Sequence, residues 1–328
     1  MRKSPSPPQR QQGIALITAV IIVTMASIAA VAMAHTLQLS IRRTSNILTS
    51  DQIYMYTLGS EAWARGMLIR DLQDPDKKSY DGLDEDWAAP LPLTPVEGGD
   101  VQAQTNDLQA RFNLNNLYLA TEASEQDKQR VTLELRLFQR LLMLLELEES
   151  IAQATADWID QDINLQFPNG AEDNNYLSND LPYRTGNDRM GSPTELRLVK
   201  GMTAEVYEKL APYVTALPET TEININTADA LLLRAIVMDL DEGSAEEIIN
   251  EREENPFKDK QNFIVKLKVL LDENKVISQE IDPVISVTSR FYLMETQVRM
   301  EDVSQILRSL LYKGDTGVVS LSRSIGTF

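Results

Sequence analysis

The sequence lacks cysteine entirely and has a single histidine, His35, among its 328 residues. Without a thiol, the chain can form no disulfide, no cysteine-ligated zinc or iron–sulfur site and no cysteine nucleophile. A histidine cage for a metal is excluded, and a Ser-His-Asp relay would have to use His35, which ends an apolar run. Catalysis or metal binding would therefore rest mainly on carboxylates.

Catalytic motifs are also missing. The chain contains no GxxxxGK[ST], no GxSxG and no HExxH, the patterns that mark phosphate loops, nucleophile elbows and zinc proteases. Paired carboxylates could serve a glycosidase-like reaction, but in a chain with 49 acids such pairs arise by chance. We expect a protein that is not an enzyme, with an acid hydrolase as the alternative.

Positive charge is scarce. The 31 Lys and Arg face 49 Asp and Glu, for a net charge of −18. Residues 1–50 carry five bases and no acid, so the excess of acid belongs to the body that follows. An acidic body repels phosphate backbones, and we expect no nucleic-acid partner. It is suited to hard cations such as calcium.

A long uncharged run follows a basic, proline-rich start. Residues 14–34 contain no charged side chain and would span about 31 Å as a helix, enough to cross a bilayer. Arg2, Lys3 and Arg10 favour a cytoplasmic position for the first 13 residues. The alternative is a secretory signal cleaved after Ala34, although its apolar core would be unusually long.

The helical pattern extends beyond the apolar run. From Leu37 to Arg65 a mainly apolar stripe recurs at steps of three and four, interrupted by Asp51, and no proline or glycine breaks the pattern before Gly59. This predicts one helix that continues to about Asp71, apolar throughout its first third and amphipathic afterwards. Such a helix suits a protein that packs side by side with copies of similar helices.

Gln12-Gly13, followed by Ile14-Ala15-Leu16-Ile17-Thr18, resembles the cleavage site of type IV pilin and type II secretion pseudopilin precursors. The resemblance implies that a prepilin peptidase cuts between Gly13 and Ile14 and that Ile14 is N-methylated. Most such precursors carry Glu at the fifth mature position, which is Thr18 here. The absence of this Glu resembles the K-type minor pseudopilins of type II secretion, the GspK family. It implies a topmost subunit, with no neighbour above it.

The resemblance implies an α+β fold of the type IV pilin kind. A long N-terminal helix and a small antiparallel sheet would be interrupted by a large inserted α-helical domain containing helix-hairpin-helix or SAM-like units. The expected divisions are a leader at 1–13, a transmembrane half-helix at 14–34, a head formed by 35–118 and 286–328, and an inserted domain at 119–285.

The residue pattern itself favours a sheet split by helices. Asp74 to Asp100 is rich in turn-forming residues and predicts a loop, whereas Val101 to Leu117 alternates in a way that predicts a hairpin or a pair of short strands. Alternation returns from Thr288 to Met300, and two short strands are predicted after it. Between these regions, Ser124 to Leu147 is a strongly amphipathic helix.

An acidic loop spans residues 157–195, where eight acids face two bases. Asp160-x-Asp162-x-Asn164 begins like an EF-hand, but Leu165 and Ala171 occupy positions that require Gly and Glu. The loop resembles the calcium-binding loop of the K-type pseudopilins, which implies a structural calcium ion. The expected ligands are Asp160, Asp162, Glu172 and Asp173, with Asn187 and Glu195 as further candidates. A solvated acidic loop is the alternative.

Two later segments, Leu196 to Leu210 and Ile223 to Phe263, resemble helix-hairpin-helix units. Asn226 or Thr227 would cap the first helix of the second unit. Residues 224–260 hold ten acids and four bases, the wrong sign for phosphate contact. A membrane-anchored helix-hairpin-helix receptor for DNA uptake remains the alternative function.

The family resemblance implies a minor pseudopilin at the tip of the periplasmic pseudopilus. It would assemble with I-type and J-type minor pseudopilins and initiate or cap the filament that drives folded proteins through the outer membrane. The inserted domain would block further subunits from adding above it. The implied location is the inner membrane, crossed once, with the C-terminal body in the periplasm.

Overall fold

The computed structural model describes residues 12–75, 77–271, 281–301 and 303–326. Residues 1–11, which include most of the predicted leader, lie outside this part. The described helices are α1 Gln12–Gln73, α2 Glu125–Leu144, α3 Ser150–Ile159, α4 Asp173–Leu177, α5 Ala204–Leu210, α6 Ala230–Ile236, α7 Glu242–Glu254 and α8 Lys260–Leu270. The described strands are β1 Leu91–Val96, β2 Gly99–Asp107, β3 Phe112–Asn113, β4 Val214–Thr215, β5 Ile223–Asn224, β6 Ile285–Ser286, β7 Phe291–Met300, β8 Val303–Gly314 and β9 Gly317–Gly326.

The first helix, α1, is 62 residues long and divides into an exposed half and a packed half. Its N-terminal part is apolar and exposed, with a mean hydropathy of 2.6 over its most apolar 18 residues. From Ile53 onward, one face is buried at steps of three and four, through Thr57, Ala64 and Leu68. This face packs against the sheet, so the predicted single helix is present and ends two residues beyond Asp71.

The main sheet is antiparallel and has the order β1-β2-β7-β8-β9. Strand β2 pairs with β7 over its full length, from Gly99 opposite Met300 to Asp107 opposite Tyr292. Two strands that adjoin in space are thus separated in sequence by the whole helical region. Trp87 meets Tyr292 edge-on, with ring centroids 4.9 Å apart, beneath the packed half of α1.

Of the two predictions for Val101 to Leu117, the hairpin is wrong, and the pair of strands is present as β2 and β3, which belong to different sheets. Strand β2 ends at Asp107, and its hairpin partner β1 lies in the segment predicted as a loop. Gly98, at φ +86°, makes the turn between them. Pro92 and Pro95 suggested a loop, but β1 is an edge strand, and an edge strand tolerates proline because some of its N–H groups need no partner.

The helical region has its own core. Phe112 and Phe138 stack with centroids 4.9 Å apart, and Leu141 and Leu142 of α2 are completely buried beside them. Ser124 caps α2 in a reciprocal capping box with Asp127, as a helix starting at this position requires. The helix ends at Leu144, earlier than the pattern predicted, because the chain turns through Glu146 at φ +57°.

The predicted cap of the second hairpin unit is wrong as well. Asp229 caps α6, and its Oδ1 accepts a hydrogen bond from the Leu232 N–H at 2.7 Å. Asn226 instead exchanges two hydrogen bonds with the backbone of Phe257. Thr227 donates to Asp107 at 2.6 Å. The two predicted caps therefore hold the helical region together and join it to β2. The identity of this unit as a helix-hairpin-helix remains a prediction.

Candidate metal centre

The end of α3 supplies the first carboxylates of the acidic loop. Asp157 and Asp160 lie one helical turn apart and so share a face of the chain. Asp160 is the C-cap residue of α3, and its N–H donates to the Ala156 carbonyl at 2.9 Å. Both side chains are buried, with 0% exposure for Asp157 and 2% for Asp160, which is unusual for aspartate without a charged partner.

The loop returns to this point through the short helix α4. Glu172 is the residue before α4, and its backbone N–H donates to Asn175 Oδ1 at 3.2 Å. Trp158, Tyr176 and Tyr183 pack against one another, with ring centroids 5.2 to 6.1 Å apart. These aromatic contacts hold the start of the loop against its middle and bring Glu172 close to Asp160.

Three carboxylates converge at the centre of the loop. Asp160, Asp162 and Glu172 each place one oxygen within 4.8 Å of the others. Asp160 Oδ1 and both carboxylate oxygens of Glu172 are buried and receive no hydrogen bond. A buried carboxylate oxygen without a donor is costly. A cation bound between these atoms would satisfy them.

Electrostatics at the cluster support the same conclusion. Burial raises the pKa of Asp160 to about 8, and the charges of Asp162 and Asp157 contribute to the rise. Burial, followed by the charge of Asp157, raises the pKa of Glu172 to about 7. Close carboxylates in a low-dielectric setting resist ionisation. A divalent cation would reverse this preference by favouring the ionised forms.

The other three predicted ligands lie in different settings. Asp173 accepts hydrogen bonds from Arg184 at 2.7 Å and from the Thr185 N–H at 3.1 Å. Glu195 accepts from the Gly191 N–H at 2.6 Å. The buried Oδ1 of Asn187 has no hydrogen-bond partner, and its residue adopts φ +46°. Asp173 and Glu195 therefore bind other parts of the loop and stand outside the three-carboxylate cluster.

Sequence reasoning missed Asp157 as part of this site. Its carboxylate accepts from the Gln166 N–H at 3.0 Å, and burial raises its pKa to about 6. A Cβ atom at Gly170 would lie 2.1 Å from Asp157 Oδ2, so the loop can close here only because residue 170 is glycine. The i, i+3 spacing of Asp157 and Asp160 was the signal that could have identified it.

The chain matches family models that describe the type II secretion system protein K. One model matches residues 110–219 and a second matches residues 223–287. A type II secretion system protein K from Pseudomonas aeruginosa is 34% identical over 96% of this chain and 93% of its own length. The corresponding protein of Aeromonas hydrophila is 32% identical over 97% and 98%.

A solved structure is similar over most of the fold. The chain aligns with a chain of the GspK-GspI-GspJ complex from the enterotoxigenic Escherichia coli type 2 secretion system, with a TM-score of 0.75 and 26% identity. The alignment covers 87% of this chain and all of the other. The predicted pilin-like fold with a helical insert is thereby confirmed.

A long apolar N-terminal helix packed on a small antiparallel sheet, with helices inserted between two adjacent strands, defines a pseudopilin with an enlarged head. The full-length relatives and the two family models make the assignment specific. The chain belongs to the family of the type II secretion system protein K, a component of a protein-transport machinery.

Proposed function

We propose that this chain is the tip subunit of a type II secretion pseudopilus, where it assembles with I-type and J-type minor pseudopilins. The observation that carries this proposal is the similarity in fold to a chain of the GspK-GspI-GspJ complex. The tip complex would initiate or cap the filament that drives export of folded proteins through the outer membrane. The chain would act as a structural subunit and not as an enzyme.

The exposed half of α1 supports a single membrane crossing. Its apolar side chains have no packing partner within the described residues, and Ile14, Val31 and Met33 are each more than 65% exposed. Lipid or neighbouring pseudopilin helices would cover them. In this arrangement the inner membrane holds the first half of α1, and the acidic body lies in the periplasm.

Processing would occur at the start of α1. A prepilin peptidase would cut between Gly13 and Ile14 and leave Ile14 to be methylated. The hydroxyl of Thr18 donates to the Ile14 carbonyl at 2.8 Å. Its polar group is therefore satisfied within its own helix and needs no amine from a neighbour above it, in contrast to a buried Glu. This fits the topmost position.

The mature N-terminus and the effect of Thr18→Glu test this proposal. In cells lacking the native gene, the full chain should restore secretion and should be recovered with Ile14 as its first residue. Thr18→Glu should leave secretion close to the wild-type level, because no subunit above depends on position 18. Severe loss of secretion with normal protein abundance, or failure to copurify with the I-type and J-type subunits, would contradict the tip assignment.

We also propose that the acidic loop binds calcium at Asp160, Asp162 and Glu172, with the buried Oδ1 of Asn187, which has no hydrogen-bond partner, as a further candidate ligand. The support is the convergence of buried carboxylate oxygens that receive no hydrogen bond. The ion would be structural and would hold the two ends of the loop together. At a calcium concentration one hundred times the Kd, bound calcium should stabilise the fold by about 2.7 kcal/mol.

Calcium removal tests this second proposal. A chelator should lower the Tm of the full chain and increase proteolysis within residues 157–195, and added calcium should reverse both effects. Asp180, an exposed acid of the same loop, provides the matched control, because Asp180→Asn should leave the calcium response intact. An unchanged Tm and an unchanged cleavage pattern would mean that the loop is simply solvated.

We propose that the hairpin between α6 and α7 makes no nucleic-acid contact. The turn carries Asp239, Asp241 and Glu242, and Asp239 adopts φ +68°. Carboxylates at this position would repel phosphates. A DNA mobility-shift experiment at low salt should show no complex, and a salt-sensitive complex would revive the DNA-uptake alternative.

A further inference from the structure

A second cluster of carboxylates lies inside the head, away from the acidic loop. Asp71 is near the end of α1, and Asp81 and Glu85 follow in the segment that leads to β1. Their exposures are only 7%, 0% and 2%. One oxygen from each lies within 4.8 Å of the others. Three aspartate and glutamate side chains this deeply buried require compensation.

One cation within the described residues contacts this cluster. The ammonium of Lys313, on β8, contacts Asp81 Oδ1 and lies 3.5 Å from Asp71 Oδ2. If all three carboxylates are ionised, one ammonium leaves two negative charges uncompensated in the interior. Attraction to a single lysine does not repay the desolvation of three carboxylates.

Hydrogen bonds do not supply the missing compensation. Asp81 Oδ2 accepts from the Ser289 N–H at 2.7 Å, and Glu85 Oε2 accepts from Trp87 Nε1 at 2.8 Å. Both oxygens of Asp71 and Oε1 of Glu85 are buried and receive no hydrogen bond. The unsatisfied oxygens are therefore on the two carboxylates that Lys313 does not contact through a hydrogen bond.

Asp107 shows how this protein accommodates a buried carboxylate by hydrogen bonding alone. It is fully enclosed, and its oxygens accept from the Gln109 N–H at 2.7 Å, Thr227 Oγ1 at 2.6 Å, Ser289 Oγ at 2.6 Å and Asn224 Nδ2 at 3.2 Å. Donors therefore surround Asp107 on both oxygens. Asp71 is buried to a similar degree and has no such donor.

We propose that Asp71, Glu85 and Asp81 form a second divalent-cation site, in which both oxygens of Asp71 and Oε1 of Glu85 are the principal ligands. A dication would balance the two charges that Lys313 leaves uncompensated. All the donors are carboxylate oxygens, which select hard cations of the calcium class. The ion would tie the end of α1 to the segment before β1. This site shares no residue with the acidic loop and does not depend on calcium binding there.

Terbium luminescence can address the two sites separately. Tb³⁺ substitutes for calcium and emits when a nearby tryptophan transfers energy to it. Trp87 contacts Glu85 directly, whereas Trp158 lies within the acidic loop. In the full chain in detergent, Trp87→Phe should remove one component of the sensitised emission, and Trp158→Phe should remove the other. Trp63→Phe should preserve both, and calcium should compete with each.

Ion counting by equilibrium dialysis with calcium gives a second readout. Asp71→Asn combined with Glu85→Gln should lose one bound ion, and Asp160→Asn combined with Glu172→Gln should lose a different one. Asp86→Asn, at an exposed acid beside the cluster, should lose none. The head variant should fold without metal, because its amides replace charges that repel each other.

Two results would overturn the inference. The first is that Asp160→Asn combined with Glu172→Gln binds no calcium and that Trp87→Phe leaves the sensitised terbium emission at the wild-type level. The second is a protonated-carboxyl infrared band in calcium-saturated protein that disappears in Glu85→Gln. That band would show that Asp71 and Glu85 share a proton in place of a metal. If the acidic-loop double variant binds as many calcium ions as the wild type and the head double variant binds one fewer, the calcium proposal for the loop is contradicted and the head site stands.

Discussion

Glu134 is a buried carboxylate of the helical region whose ionisation opposes folding. It is 2% exposed, and Asn116 donates to its Oε1 at 3.0 Å, while Oε2 receives no hydrogen bond. Burial raises its pKa to about 7. The folded state therefore holds a proton that the unfolded chain releases above its ordinary pKa of 4.5. Stability falls as the pH rises through this interval.

Glu134→Gln should remove that pH dependence, because glutamine keeps the acceptor for Asn116 and cannot ionise. Relative to wild type, the unfolding free energy of the variant should rise between pH 4.5 and 7, by up to about 3 kcal/mol. Urea unfolding at several pH values would measure the difference. Parallel stability profiles for the two proteins would show that Glu134 ionises alike in the folded and unfolded chains, and so would contradict a raised pKa in the folded state.

Asp160→Asn should have effects of opposite sign with and without calcium. In chelator, the variant should match or exceed wild-type stability, because it removes repulsion from Asp157, Asp162 and Glu172. In saturating calcium it should be less stable by about 2 kcal/mol, because a ligand is lost. Thermal melts in both buffers would show the crossing, and an equal loss of stability in both would mean that Asp160 has a purely packing role.

At the scale of single residues, the sequence predicted which acids meet in the loop better than it predicted their geometry. Asp160, Asp162 and Glu172, which are three of the predicted ligands, come together in the structure. The sequence could not show that Asp173 lies outside this cluster, because its hydrogen bonds come from Arg184 and Thr185, eleven and twelve residues further along the chain. The ion itself stays a prediction.

Among the secondary-structure elements, α2 begins with a complete capping box. Ser124 accepts from the Asp127 N–H at 3.1 Å, and Asp127 accepts from the Ser124 N–H at 3.2 Å. Ser124→Ala should cost about 1 kcal/mol of unfolding free energy, because the Asp127 N–H at the helix start loses the Ser124 hydroxyl as its acceptor. Ser124→Thr should retain most of the stability. Chemical denaturation would test both, and an unchanged midpoint for Ser124→Ala would show that this end of the helix frays.

Elements with strong periodicity were predictable, and elements defined by pairing were not. The long helix α1 and the amphipathic helix α2 follow from side-chain spacing alone. The β1–β2 hairpin does not follow from side-chain spacing, because β1 carries two prolines and becomes a strand only by pairing with β2 at the edge of the sheet. Asp229 is the N-cap of α6, because the side chains of Asn226 and Thr227 make long-range hydrogen bonds elsewhere.

Across the whole molecule, one ion pair joins the first helix to the last strand. Glu61 of α1 is 2% exposed and forms a two-pronged pair with Arg323 of β9, at 2.7 Å for both contacts. Ser309 of β8 donates to the same carboxylate at 2.7 Å. Hydrogen bonding to Arg323 lowers the pKa of Glu61 against the opposing effect of burial.

Arg323→Ala should destabilise the head by about 2 kcal/mol, because it leaves the buried Glu61 charge with Ser309 as a hydrogen-bonding neighbour. The loss should be largest above the ordinary Glu pKa and should shrink as acid protonates Glu61. Glu61→Gln combined with Arg323→Ala should be less damaging than the sum of the single changes. A double-mutant cycle would measure the coupling, and strict additivity would refute it.

The pairing of β2 with β7 also sets an order of folding. The two strands lie side by side, yet β7 is synthesised only after the entire helical region. Closing so long a segment as a flexible loop costs entropy, and each doubling of its length adds about 0.6 kcal/mol. The folded helical region already joins Asp107 to Thr227 and Asn224 and so shortens the effective loop. We therefore expect the central strand pair to form after the insert has folded, and an ion that stabilises the insert early would speed completion of the sheet.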